Sequence, residues 1–147
     1  KIHQFTVAKG NAELVLQTGP LNKALQVLGK CTSDLVESWG LDPERQAKLA
    51  SRPQPITNPG AWLKSMDYPW QARRKGESAS IQFRLMVDST GTPTVCKVQS
   101  ATRSPDFIDL TCKLLMKRAR FAPARDALGE PADSYYTNSV SWFMAGF

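Results

Sequence analysis

The chain has one histidine and three cysteines among 147 residues, and no pair stands at the Cys-x-x-Cys spacing of a metal clip or redox motif. A zinc site would need all three cysteines plus the remote His3, so no metal is assigned. A Ser-His-Asp machine would also have to be built on His3, which lies in the first strand-like run and reads as a solvated or packed structural residue. There is no P-loop and no GxGxxG, so no catalytic residue, cofactor or enzyme activity is assigned. No run approaches the roughly 18 consecutive apolar residues of a membrane span, and the N-terminus lacks the apolar core of a signal peptide. The chain begins at Lys1 rather than Met, which reads as a processed form or a fragment with any targeting segment upstream.

Apolar residues make up 41% and charged residues 22%, the balance of a globular protein rather than a disordered or fibrous one. Net charge is +6, divided as +2 over residues 1–63 and +4 over 64–147. A surplus so small and so spread permits an anionic neighbour and selects none. Nucleic acid is set aside, because its binding wants basic residues interleaved with exposed aromatics on one sheet face. Here the sheet aromatics fall mostly on the core side.

The chain divides at its prolines. Ile2–Val7 and Glu13–Leu16 are β-prone runs around Lys9-Gly10-Asn11, a hairpin pattern. Gly19-Pro20 opens a helix in which Leu21, Leu25, Leu28, Leu35 and Trp39 recur at helical spacing, with Cys31 near the stripe and Gly40 as the stop. Such a segment, residues 1–50, has a thin core and reads as the end of an upstream domain or as a part completed by the rest of the chain. Residues 51–63 hold three prolines within Ser51–Gly60 and read as an extended linker. Residues 64–147 are expected to fold alone.

In that last part Ile81, Phe83, Leu85 and Val87 alternate with Gln82, Arg84 and Met86, the period of a strand. Asp88-Ser-Thr-Gly91 is a turn, and Thr94–Gln99 a second strand with Cys96 and Val98 on one face. Ser104-Pro105-Asp106 starts a helix whose inward stripe is Ile108, Cys112, Leu115 and Ala119. Phe121-Ala-Pro123 stops it, Gly129-Glu-Pro131 turns the chain, and Tyr135–Met144 is a last strand with Val140 and Trp142 on a common face. The expected class is α+β: a small three-stranded antiparallel sheet (β-β-α-β) with one helix on one face, preceded by a hairpin-plus-helix segment.

Tyr68-Pro69, Gly76, Asp88-x-x-Gly91, Ser100-Ala101, Arg118-x-Arg120-Phe121-x-Pro123, Gly129-x-Pro131 and Val140-x-Trp142 together resemble the C-terminal domain of TonB, over about residues 68–143. The resemblance implies a periplasmic domain that grips the TonB box, a short extended segment of outer-membrane receptors. Energy from an inner-membrane motor then drives uptake of iron complexes, vitamin B12 or other scarce nutrients. It also implies motor proteins as partners through an upstream membrane anchor. The anchor and long Pro-rich spacer of that family do not occur in this sequence, and residues 1–63 match nothing in its pattern. The alternative is a periplasmic structural or sensory interaction domain that keeps the sheet without transducing energy.

Physical chemistry makes the same demand on the last strand. A sheet edge is a template for an added strand, and this strand carries no Lys, Glu or Pro to prevent addition. Tyr135, Thr137, Ser139 and Ser141 are therefore the expected partner-binding residues, with dimerisation by strand exchange as another use of the edge and cover by residues 1–50 of the same chain as the alternative. Tyr68 and Pro69 border the site by resemblance. Arg73 and Arg74, in the run Arg73-Arg74-Lys75, read first as a solvated cluster and second as a surface that steers an acidic partner. Finally, Cys96 and Cys112 face one another from strand and helix, which predicts a disulfide stabilising the domain by about 3 kcal/mol and an oxidising compartment. Cys31 is left unpaired within the chain.

Overall fold

A computed structural model describes residues 4–102 and 105–143, in two units, Lys1–Glu44 and Arg45–Phe147. His3, the cap residue Ser104 and Met144 lie outside the described residues.

In the first unit β1 (Gln4–Lys9) pairs antiparallel with β2 (Ala12–Gln17), from Gln4↔Gln17 to Lys9↔Ala12. Gly10 supplies the positive φ, +60°, that the tight turn needs. Helix α1 (Asn22–Ser38) starts just after Pro20 and ends at Gly40, whose N–H reaches Glu37 O at 2.8 Å. Its stripe is on the surface: Leu25, Leu28 and Leu35 are 48%, 61% and 48% exposed. Val36 is the one buried residue among those described in this unit. The core here is as thin as the sequence implies.

The second unit begins inside α2 (Pro43–Ala47). The Pro-rich segment that follows is extended and hydrogen-bonded. Ser51 N–H donates to Arg125 O and Arg125 N–H to Ser51 O, at 3.2 and 3.1 Å. Then β3 (Gln54–Pro55) pairs with β6 (Phe121–Ala122). Two short 3-10 turns, Pro59–Ala61 and Ser65–Asp67, lead to α3 (Trp70–Lys75), which Gly76 closes at φ +66°.

Strand β4 (Ala79–Val87) is the centre of a three-stranded antiparallel sheet in the order β5-β4-β9, with β5 (Pro93–Ala101) and β9 (Ser134–Trp142) as its edges. Ile81, Phe83, Leu85 and Val87 are all 2% exposed or less, so the period-2 pattern became the floor of the core. Two further two-residue strands, β7 (Ala124–Arg125) and β8 (Pro131–Ala132), close the loop before β9.

Helix α4 (Pro105–Arg118) covers the sheet with Phe107, Thr111, Leu114 and Leu115 buried. That face is rotated from the expected stripe, for Ile108 and Cys112 are only half-buried. The Phe107 ring decides the rotation: it packs 5.5 Å from the Tyr68 ring and 6.0 Å from Trp142, while Trp142 Nε1–H donates to Thr111 Oγ1 at 3.0 Å. The Cys96–Cys112 disulfide is present, with Cα atoms 5.6 Å apart, and ties β5 to α4. Cys31 is a free, exposed thiol.

Trp62 is a core residue that no periodicity announced. It is 2% exposed, meets Phe121 and Tyr136 edge-on at 5.5 and 6.1 Å, and donates Nε1–H to Thr57 Oγ1. The Asp88–Gly91 turn is equally fixed. Asp88 Oδ1 accepts from the N–H groups of Thr90 and Thr92, and those bonds, led by the Thr90 hydroxyl, hold its pKa below the usual value. Gly91 sits at φ +84° with Phe121 N–H on its carbonyl, and a Cβ there would lie 1.8 Å from Phe121 O.

Candidate functional site

Both outer strands of the sheet have a free side among the described residues, but they differ. Strand β5 starts at Pro93, carries Lys97 and holds an extra residue, Gln99, between the pairs Gln82↔Ser100 and Phe83↔Val98. Proline, lysine and a bulge each discourage strand addition. Strand β9 has none of them and keeps unbroken register with β4 from Ala79↔Trp142 to Val87↔Ser134.

Hydrogen bonds on β4 fix which main-chain groups of β9 are open. Ser80 turns toward β5, since its carbonyl accepts from Thr102 N–H at 3.1 Å and its N–H donates to Thr102 Oγ1 at 3.0 Å. Main-chain direction alternates along a strand, so Ile81, Phe83 and Leu85 turn toward β9. Their partners there are Val140, Asn138 and Tyr136. By the same alternation the N–H and C=O groups of Tyr135, Thr137, Ser139 and Ser141 point outward from the sheet.

Not every one is equally available. Tyr135 lies under the Arg52 guanidinium, 5.1 Å from the ring centroid. Ser139 N–H donates to the Asn138 side-chain Oδ1 at 2.8 Å, and Asn138 Nδ2 in turn donates to the Tyr136 hydroxyl at 2.7 Å. Asn138 was missed in the sequence, where a polar residue on the core face of an edge strand gives no signal of its own.

A cleft of about 350 Å³ opens beside this stretch, lined by Asn138–Ser141 on one side and by Pro59, Gly60, Trp62 and Leu63 on the other, with Phe83 and Leu115 at its floor. Its far wall is held by an ion pair. The Arg118 guanidinium forks onto Asp67 at 2.5 and 2.9 Å and also donates to Trp62 O at 2.9 Å. Hydrogen bonding to Arg118 is the main reason the Asp67 pKa falls to about 2.

Residues 64–144, more than half of the chain, match the family model of the Gram-negative bacterial TonB protein C-terminal. The chain belongs to the TonB C-terminal family. No curated protein matches it. TonB C-terminal domains are non-enzymatic, periplasmic parts of energy transducers and interact with outer-membrane receptors. Among the described residues no helix is long and apolar enough to cross a membrane, and no cluster of side chains could hold a metal.

Several TonB motif residues have structural work in this chain. The Tyr68 hydroxyl donates to Glu77 O, and its ring stands edge-on to Phe107 and Trp142 at 5.5 and 5.7 Å. It therefore packs against the residue that ends β9, and Pro69 beside it stands at the N-cap of α3. Arg73 and Arg74 lie in the last turn of α3, where Arg74 sits 5.7 Å above the exposed Trp70 ring. The hollow lined by Trp70, Gln71, Arg74 and Lys75 shares no residue with the cleft at β9. The structure thus gathers Thr137, Ser139 and Ser141 on one edge, places Tyr68 at its end, and puts Arg73 and Arg74 in the last turn of α3, where only Arg74 lines the separate hollow.

Proposed function

We propose that the second unit grips the TonB box of an outer-membrane receptor by strand addition to β9, supporting energy-dependent uptake of iron complexes or vitamins. The observation that carries this reading is the asymmetry of the sheet: β5 is guarded, whereas β9 offers outward main-chain groups on a charge-free, proline-free strand. In this mode main-chain bonds supply affinity and alternate side chains supply specificity. Tyr68 and Pro69 brace the C-terminal end of the strand, and Arg73 and Arg74 steer an acidic partner toward the domain. An upstream anchor would link this grip to the inner-membrane motor proteins.

The test is titration of the 147-residue chain with a receptor-segment peptide. Ser141→Pro and Thr137→Pro remove outward donors, and each is expected to weaken binding at least tenfold while circular dichroism stays native. Side-chain changes such as Thr137→Ala cost much less. Unchanged affinity in both proline variants would remove strand addition as the mechanism and favour the structural or sensory reading.

A further inference from the structure

The first unit leaves two apolar faces uncovered, one on the hairpin and one on α1. We propose that a second copy of this chain covers them, with α1 packed antiparallel against α1 of its partner. No residue of β9 takes part, so this pairing is independent of strand addition.

On the hairpin Phe5 stands opposite Leu16 and Val7 opposite Leu14, four side chains on one side of the ribbon, each roughly half exposed. On α1 the exposed residues Leu25, Leu28, Thr32 and Leu35 follow one another at spacings of three and four, the a and d positions of a heptad. The charges of the helix keep off that seam. Lys23, Lys30, Asp34 and Glu37 all lie away from it, and Lys30 bonds Asp34 at 2.8 Å. Ala24, Gly29 and Cys31 flank the seam and are small enough to let another helix come close. Thr32 can be buried there at little cost, because its hydroxyl already donates to Leu28 O at 2.8 Å.

The seam is its own complement. Turned antiparallel about a two-fold axis beside Lys30, it sets Leu25 against the partner's Leu35 and Leu28 against the partner's Thr32, each pairing made twice. That reciprocity favours a copy of the same helix over an unrelated partner. Antiparallel order also brings the end with Lys23 beside the partner's end with Asp34 and Glu37, where parallel order would set like charges together. The area suffices as well. The seven half-exposed leucine, valine and phenylalanine side chains of the two faces supply on the order of 600 Å² of apolar surface, and the atoms between them bring the total near that of one side of a standard interface.

Sedimentation equilibrium of the 147-residue chain carrying Cys31→Ser, which excludes a bridge between copies, is expected to show a monomer–dimer equilibrium with Kd on the order of 10 μM. Leu28→Asp should weaken it about a hundredfold, since the buried charge enters twice. Thr32→Leu should tighten it about tenfold by filling the same layer with hydrocarbon, a gain that loss of folding does not imitate. Orientation is read from nitroxide labels, for which Cys31 is the free thiol. Two Cys31 labels should lie close together, and a label moved to Ser38→Cys in the Cys31→Ser chain should lie farther from its copy by about 10 Å, because antiparallel positions separate by about 3 Å per residue from the axis. Equal distances at the two positions would overturn the antiparallel pairing. A monomer at every concentration would give these faces to another occupant and overturn the proposal. A dimer indifferent to both Leu28→Asp and Thr32→Leu forms elsewhere on the chain and would overturn it too.

Discussion

The two edges of one small sheet are finished in opposite ways. On β5 a proline opens the strand, a lysine interrupts it, two residues bulge out and Cys96 is bonded to α4. On β9 nine residues run without charge, proline or break in register. A sheet that needed only to be stable would be guarded at both sides, because an open edge is an aggregation hazard. The difference shows which edge the fold leaves unguarded, and it does so from backbone chemistry alone.

The largest effect that could break the comparison is a change of parity on β9. Val140→Pro removes a donor that faces Ile81 across the ladder, and about 3 kcal/mol or more of stability is expected to go with it. Ser141→Pro, one residue on, removes only an outward donor and is expected to cost about 1 kcal/mol or less in a thermal melt. A larger loss from Ser141→Pro than from Val140→Pro would mean that the outward assignment is reversed.

Releasing the guarded edge comes next. The double change Cys96→Ser, Cys112→Ser is expected to lower stability by about 3 kcal/mol and to raise amide exchange in β5, with peptide affinity at β9 unchanged. A matching loss of binding would show that the two edges are not independent.

A smaller effect concerns the wall behind β9. Asp67 is held to a pKa of about 2 by Arg118, against an ordinary 3.8. Because the folded value is the lower one, this stabilisation is complete above about pH 4 and is lost as pH falls through about 2. Asp67→Asn should cost about 1–2 kcal/mol at pH 7, allowing for partial exposure, and should flatten the acid limb of the stability curve. An unchanged acid limb would show that the pair contributes nothing.

The smallest change is a gain. Asn138→Ala frees Ser139 N–H from its side-chain acceptor, so affinity for an added strand is expected to rise a few-fold at little cost in stability, as read by calorimetric titration. Weaker binding would instead make Asn138 a contact for the partner.

Much of this was legible in the sequence, and the reasons for the rest are physical. The alternation from Ile81 to Val87 named a core strand, and the facing sides of strand and helix named the Cys96–Cys112 staple, since side-chain period reports which face is buried. Phe107 was missed because helical spacing defines a stripe only to within a residue, and a ring able to reach Tyr68 and Trp142 outweighs it. Trp62 stands in a Pro-rich stretch with no period at all, yet it fills the core. A fragment beginning at residue 64 lacks that ring, and comparing it with one beginning at Arg45 would show where the folding unit starts. Thr137, Ser139 and Ser141 were readable as an exposed row, but the direction of their N–H groups depends on which strand is the neighbour. The cleft is made by residues about 80 positions apart and has no local signature.

Amide hydrogen exchange on the 147-residue chain, with and without a receptor-segment peptide, tests the central claim most directly. The account predicts new protection at the Thr137, Ser139 and Ser141 amides, no change along β5, and none on α1. Protection that appears on β5 or on α1 while those three amides stay unchanged would contradict it.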